Sequence, residues 1–219
     1  NGKFLGLRVI KNASVGAYLN NFGPLPAFGN FGGVAGVYKT PAISATITGV
    51  FTNAAPTSPY RGAGRPEATL AIEQVIDLAA REMGIDRIEL RRRNIIPPDA
   101  FPYQTALTYN YDSGEFERNM DRALEMADAA SFEARRTDSK ANGKLRGLGI
   151  ANAIEQAAGM FDEGGEIRFD QEGHITVLMG THAHGQGHET VFKQLLSEKL
   201  GLNFDQIRYV QGDTDMVNY

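Results

Sequence analysis

The chain contains no cysteine and no tryptophan. Without cysteine there is no disulfide, no thiolate-ligated iron–sulfur cluster and no thiol nucleophile, and no compartment is selected. Neither sign of charge dominates: 22 Lys and Arg stand against 26 Asp and Glu. The formal net charge is −4 over 219 residues, which gives no electrostatic reason to expect nucleic acid or an anionic membrane surface as partner. No apolar run approaches the roughly 20 residues of a membrane span. Low-complexity tracts and short-period repeats are missing, and all four histidines fall between His174 and His188.

What remains is ordinary for a globular protein: 42% hydrophobic and 22% charged residues, with length for one sizeable domain or two small ones. The chain opens on Asn1-Gly2-Lys3 and stops at Asp215-Met216-Val217-Asn218-Tyr219, with no initiating Met, signal segment or closing cap. It reads as the middle of a longer polypeptide.

Glycine is plentiful and concentrated. Pro59-Tyr60-Arg61-Gly62-Ala63-Gly64-Arg65-Pro66-Glu67 and Gly180-Thr181-His182-Ala183-His184-Gly185-Gln186-Gly187-His188-Glu189-Thr190 each follow a strand-like run and open a helix-like one. Residues 1–41 carry weak periodicity and read as loops. Residues 42–51 alternate with a period of two and predict a strand. Ala68, Ala71, Ile72, Val75, Ile76 and Ala79 predict a helix that Pro66 starts and Gly84 ends. Asp86 with Glu89 is a capping-box pattern for a short helix stopped before Pro97-Pro98. Asp112 with Glu115 suggests a further helix start, with Phe116, Met120, Ala123, Leu124 and Ala127 as its apolar face. Residues 139–144 read as a surface loop and 147–154 as a strand. A hairpin is expected around Gln171-Glu172-Gly173, then a helix carrying Val191, Phe192, Leu195 and Leu196, then a strand at 207–210. The fold class is α+β: two mixed sheet-and-helix units, 1–110 and 111–219.

Two glycine-rich turns at helix entries are the geometry in which bare N–H groups meet an anionic ligand. Around Gly185-Gln186-Gly187-His188 the missing Cβ atoms would let a pyrophosphate or pterin edge approach, and Gln186 could donate and accept at once. The same spacing also fits a plain tight turn before a helix. Arg61 could grip an oxyanion with its planar fork or simply face solvent. Arg65 suits a phosphate contact or a helix entry, and Tyr60 suits the core. His182-Ala183-His184 with His188 faintly resembles a binuclear zinc motif, but Gly187 stands where that motif needs Asp. His174 is expected to be an exposed hairpin residue. Neither loop ends as a Walker A motif or continues as a dinucleotide fingerprint.

Together these segments resemble the large subunit of the molybdenum hydroxylases, the family of xanthine dehydrogenase, aldehyde oxidoreductases and aerobic carbon monoxide dehydrogenase. Residues 59–67 match its aromatic-Arg-Gly-x-Gly loop and 180–190 its Gly-Gln-Gly-His-x-Thr loop. Arg93-Asn94, Phe101-Pro102 and Tyr111-Asp112-Ser113-Gly114 match the connector between them.

The resemblance implies Arg61 beside the molybdenum as the catalytic cation and Gly62 and Ala63 on the loop facing it. It implies Gly185, Gln186, Gly187, His188 and Thr190 as residues that hold the cofactor. That cofactor is expected to be molybdopterin cytosine dinucleotide with molybdenum. No residue of this stretch is expected as a direct metal ligand. The reaction implied is oxidative hydroxylation or dehydrogenation of aldehydes or N-heterocycles. Electrons would pass to an iron–sulfur subunit and to a flavin subunit carrying FAD.

The family's catalytic Glu and an upstream Gln-bearing loop match nothing in these residues. Gly62 stands where carbon monoxide dehydrogenases carry a copper-binding Cys, which argues against that substrate. Ala63 stands where xanthine-type enzymes carry an aromatic, leaving a wider pocket. His184 stands where many relatives carry Gln. The setting implied is the cytoplasm or the periplasm, with no nucleic-acid or membrane partner; a homo-oligomer is compatible. The competing readings are a cofactor-free binding or assembly module and a zinc hydrolase.

Overall fold

The computed structural model describes residues 1–155 and 163–217. The chain forms two compact units, Asn1–Gln156 and Ala157–Tyr219. The boundary expected near residue 110 falls inside the first of these, at a short strand over Asn110–Tyr111.

In the first unit, strand β1 (Leu7–Gly16) pairs in parallel with β2 (Ile43–Phe51), Leu7 opposite Ile43 and Ser14 opposite Val50. A parallel pair needs a long crossover, and residues 17–42 supply it. They also supply core. Phe31, Val34, Val37 and Tyr38 are buried there beside Ala68, Ile72, Ile76 and Ala80 of helix α1 (Arg65–Met83). The weakly periodic stretch 1–41 thus holds a ten-residue strand and part of the core. The strand is cryptic because its polarity is inverted. Ile10 points out at 76% exposure, while Lys11 on the inner face lies 4.5 Å over the Phe31 ring.

Helix α1 ends as expected on Gly84, left-handed at φ 65°, whose N–H meets the Ala80 and Arg81 carbonyls. Asp86 caps helix α2 (Arg87–Asn94) by accepting from the N–H groups of Ile88 and Glu89, each at 2.9 Å. Glu89 does not complete the box; it pairs with Arg93 one turn on, at 2.8 Å. A short ribbon joins β3 (Tyr103–Gln104) to β4 (Asn110–Tyr111). Helix α3 (Phe116–Met126) starts at Glu115 rather than Asp112 and buries Met120. Helix α4 (Phe132–Ala141) occupies part of the stretch expected to be a surface loop. The strand expected over 147–154 is not formed; that segment has no regular structure.

That irregular segment is held by buried charge. Arg91 is fully buried, and its Nε and Nη2 both meet Oε2 of Glu73 at 2.8 Å while Nη1 meets Oδ1 of Asp77 at 2.7 Å. Tyr38 donates to the other Glu73 oxygen at 2.6 Å, and Asn152 donates to the Tyr38 hydroxyl at 3.1 Å. Arg91 also reaches the Ile150 carbonyl at 3.4 Å and Arg87 the Leu148 carbonyl at 2.7 Å. Burial alone disfavours the Arg91 charge, but Glu73 and Asp77 outweigh it and hold the guanidinium above its ordinary value. Burial and the Glu73 carboxylate push the Tyr38 phenol up.

The second unit is a three-stranded sheet in the order β5 (Gly165–Phe169), β6 (Ile175–Met179), β7 (Ile207–Gln211). β5 and β6 form the expected hairpin; β6 and β7 run parallel, joined through helix α5 (His188–Leu200). Ile175, Val177, Leu178 and Ile207 are buried. No residue of α5 is buried, and Val191 and Leu195 stand about half exposed, so its apolar face is not packed as the pattern suggests.

Removing Arg91 leaves Glu73 buried without its counter-charge. Arg91→Ala is expected to cost about 3–5 kcal/mol. Arg92→Ala, which removes an outer pairing with Glu117 and Asp121, should cost about 0–1 kcal/mol. Urea unfolding of both variants checks this; equal costs would show that Arg91 is not the central tie.

Candidate cofactor-binding site

The first loop descends from β2 and closes as two successive turns. The Ala63 N–H donates to the Tyr60 carbonyl at 2.6 Å and the Arg65 N–H to the Gly62 carbonyl at 2.9 Å. Gly62, Ala63 and Gly64 all take positive φ, at 88°, 44° and 102°. Such a run is disfavoured for residues with a Cβ, and the surroundings enforce it. A Cβ on Gly64 would lie 2.1 Å from the Pro26 carbonyl oxygen, and one on Gly62 would lie 2.7 Å from the Pro66 ring. Arg61 is exposed and has no hydrogen bond or ion pair among the described residues. Tyr60, expected in the core, is 85% exposed: it lies ahead of the turn, away from the packed face of α1. Arg65 serves the helix entry, where it pairs with Glu155 at 2.7 Å, and its buried Nε has no partner.

The second loop leaves β6 and enters α5. Gly187 is the N-cap at φ 74° and Gly185 lies at φ 107°. No side chain caps α5, so the first N–H groups of its opening turn keep no intrahelical partner. A Cβ on Gly185 or Gly187 would meet nothing within 4 Å. The carbonyl oxygen of the Gln186 side chain accepts from the His184 N–H, and its amide nitrogen has no hydrogen bond among the described residues. Gln211 of β7 steadies the loop by accepting from the Ala183 N–H at 3.2 Å. His188 packs against Phe192, and Phe192 stacks on Tyr209 at 6.0 Å. His188 Nδ1 and the Tyr209 hydroxyl are buried without partners; burial and then Glu189 push the Tyr209 phenol up. Thr190 is exposed on the first turn of α5.

The sequence-derived residues thus fall into two groups: Arg61, Gly62 and Ala63 adjoin in the first unit, and Gly185, Gln186, Gly187, His188 and Thr190 adjoin in the second. Each unit stands by itself here. His182 Nδ1 and His184 Nε2 approach to 3.3 Å, and His174 is exposed as expected, facing Asp170 at 3.5 Å. Among the described residues no group of three or more His, Asp or Glu is placed to hold a metal ion. Sequence reasoning missed Asn30, whose amide donates to the Ala63 carbonyl at 2.8 Å. It also missed Gln211. Neither lies in a motif; only the fold brings them to the loops.

The two sets of glycines should respond differently to added side chains. Gly64→Ala is expected to lose about 3 kcal/mol or more, since left-handed strain adds to a backbone collision. Gly185→Ala, with open space around it, should lose about 1–2 kcal/mol of conformational strain alone. Thermal unfolding of the two variants gives the comparison; equal losses would contradict the packed seat under Gly64.

Two family models, both of the molybdopterin cofactor-binding domain, match residues 1–95 and 122–219. The chain is 34% identical to the gamma subunit of the 6-hydroxypseudooxynicotine dehydrogenase complex of Paenarthrobacter nicotinovorans, covering 99% of this chain and 28% of that one. It is 33% identical to the carbon monoxide dehydrogenase large chain of Hydrogenophaga pseudoflava, covering 100% and 29%. Among solved structures, quinoline 2-oxidoreductase of Pseudomonas putida 86 superposes with a TM-score of 0.84 at 30% identity, over 96% of this chain and 29% of that one. The chain therefore spans under a third of the length of these relatives. Its fold is of the α+β class. With both matched regions and the solved relatives in agreement, the chain belongs to the molybdopterin cofactor-binding domains of the molybdenum hydroxylases.

Proposed function

We propose that the protein carrying this chain is a molybdenum-dependent oxidoreductase acting on an aldehyde or an N-heterocycle, and that residues 180–190 hold its molybdopterin. The observation that carries this reading is the uncapped start of α5 behind two glycines with open space in front of them. A helix N-terminus offers N–H donors and a partial positive charge to an anion. Gln186 adds a side-chain donor, and His188 Nδ1 is a buried polar atom in want of a partner. This donor-rich set suits the pyrophosphate and heterocycle edge of a molybdopterin, in the cytosine dinucleotide form. Bound there, the group supplies two-electron redox chemistry at its metal.

The chain's own residues bind and orient. Gly185, Gly187 and the opening turn of α5 give main-chain contacts, with Thr190 beside them. Arg61, free and exposed, is the candidate to stabilise negative charge that develops on substrate or product oxygen. Gly62 and Ala63 keep the surface beside it small. Gly62 has no thiolate to bind copper, and the chain has no cysteine, which supports an organic substrate. Residues 1–110 and 111–219 are assigned to the first and second molybdopterin-binding units. The name of a relative as a complex subunit supports assembly with further subunits, for which an iron–sulfur and a flavin subunit are the proposed partners. Among the described residues no helix is long and apolar enough to cross a membrane.

Elemental analysis of the full-length protein should find molybdenum; zinc, or no metal, would overturn the reading. Gln186→Ala should lower molybdenum content through a loss of about 1–3 kcal/mol of cofactor binding, leaving turnover per molybdenum close to wild type. Arg61→Ala should keep its molybdenum and lose roughly 10²-fold in turnover per molybdenum. Wild-type turnover in that variant would remove Arg61 from the reaction centre.

A further inference from the structure

The turn that presents Arg61 has a strained residue without an obvious reason to stay strained. Ala63 is not glycine, yet its φ is 44°. A non-glycine residue in this region persists only where its neighbours over-determine it. Besides the turn's own hydrogen bonds and Pro66, the contacts that hold it from outside come from one short stretch, residues 23–30, which the sequence presents as a plain Gly/Pro/Asn loop. The hydroxyl of Thr57 donates to the Gly23 carbonyl at 3.0 Å and anchors the start of the approach to the turn. The Pro26 carbonyl fills the space in front of Gly64. The Asn30 amide donates to the Ala63 carbonyl at 2.8 Å.

Asn30 is itself well held. Its N–H meets the Leu25 carbonyl at 3.3 Å, and its carbonyl accepts from Gly33 N–H at 3.2 Å and from the Tyr109 hydroxyl at 3.5 Å. Among the described residues its side chain makes one hydrogen bond, to the Ala63 carbonyl. Changing that side chain therefore removes one donor and leaves the backbone seat in place. The contact also fixes direction: a carbonyl that must point at Asn30 cannot rotate with the peptide plane that joins Ala63 to Gly64, and Arg61 begins two residues before that plane.

We propose that Asn30 is a positioning residue for Arg61: its amide locks the 61–64 turn, and so holds the guanidinium where the reaction needs it. The role of Arg61 in this statement rests on the proposed function. The lock on the turn does not.

The test pairs two variants in the full-length protein. Asn30→Ala removes the side chain. Asn30→Asp keeps its shape and takes away the N–H that donates. Peptide-resolved hydrogen exchange over residues 60–66 reads the lock, with the interior of α1 as the internal reference for global stability. Loss of one such hydrogen bond should speed exchange of the turn about 5- to 10-fold in both variants, with α1 unchanged. Turnover per bound molybdenum should fall roughly 10- to 100-fold in both, with a smaller change in KM, because a small displacement of a charge-stabilising group is costly. If Asn30→Asp exchanges like wild type, shape and not donation holds the turn. The proposal then fails while the proposed function stands. If exchange rises in both variants and turnover per molybdenum is unchanged, the turn does not position a reacting group. The positioning role and the placement of Arg61 then fail together.

Discussion

One guanidinium holds the first unit in its shape. Arg91 has no exposed surface, and it is shared among Glu73, Asp77 and the Ile150 carbonyl. A buried charge without partners is among the costliest features a fold can carry. The elements that partner it are therefore tied to one arrangement. Those elements are α1, which brings both carboxylates, α2, which brings the arginine, and the irregular stretch 148–152. That stretch lacks a ladder of its own, so its polar groups must be satisfied from elsewhere. Arg87 takes the Leu148 carbonyl, Arg91 the Ile150 carbonyl, and Asn152 reaches Tyr38. Because α1 is fixed in this way, so is its first turn, and the glycine loop that ends in Arg65 inherits a rigid base.

The parts of this arrangement that were legible in the sequence are those decided by local chemistry. Pro66 and Gly84 bracket α1, the Asp86 carboxylate starts α2, and the turn at Gln171-Glu172-Gly173 sets the hairpin of β5 and β6. The glycine-rich loops were legible as loops between strand and helix, and they are. What failed was decided at long range. β1 carries a lysine inward because Phe31, twenty residues on, offers its ring to the ammonium. The 147–154 stretch has strand-like residues but forms no ladder; two arginines of α2 take the Leu148 and Ile150 carbonyls instead. Tyr60 was legible as an aromatic but not as an exposed one, since nothing local says that the core ends before it. Asn30 had no local signal at all.

The same distinction separates the two glycine loops, and it bears on what each is for. At 62–64 the space beside each glycine is already taken, by Pro66 and by the Pro26 carbonyl. Glycine is needed there for the turn to close. At 185 and 187 the space is empty and the backbone is left-handed. Packing does not require glycine at either position; the left-handed backbone does. A main chain kept bare on its open side, next to a helix start whose donors no side chain satisfies, is a surface shaped for approach from outside the unit. The first loop is thus closed by its own packing, whereas the second leaves its main chain open on one side; the same residue type serves a filled seat in one unit and an unfilled one in the other.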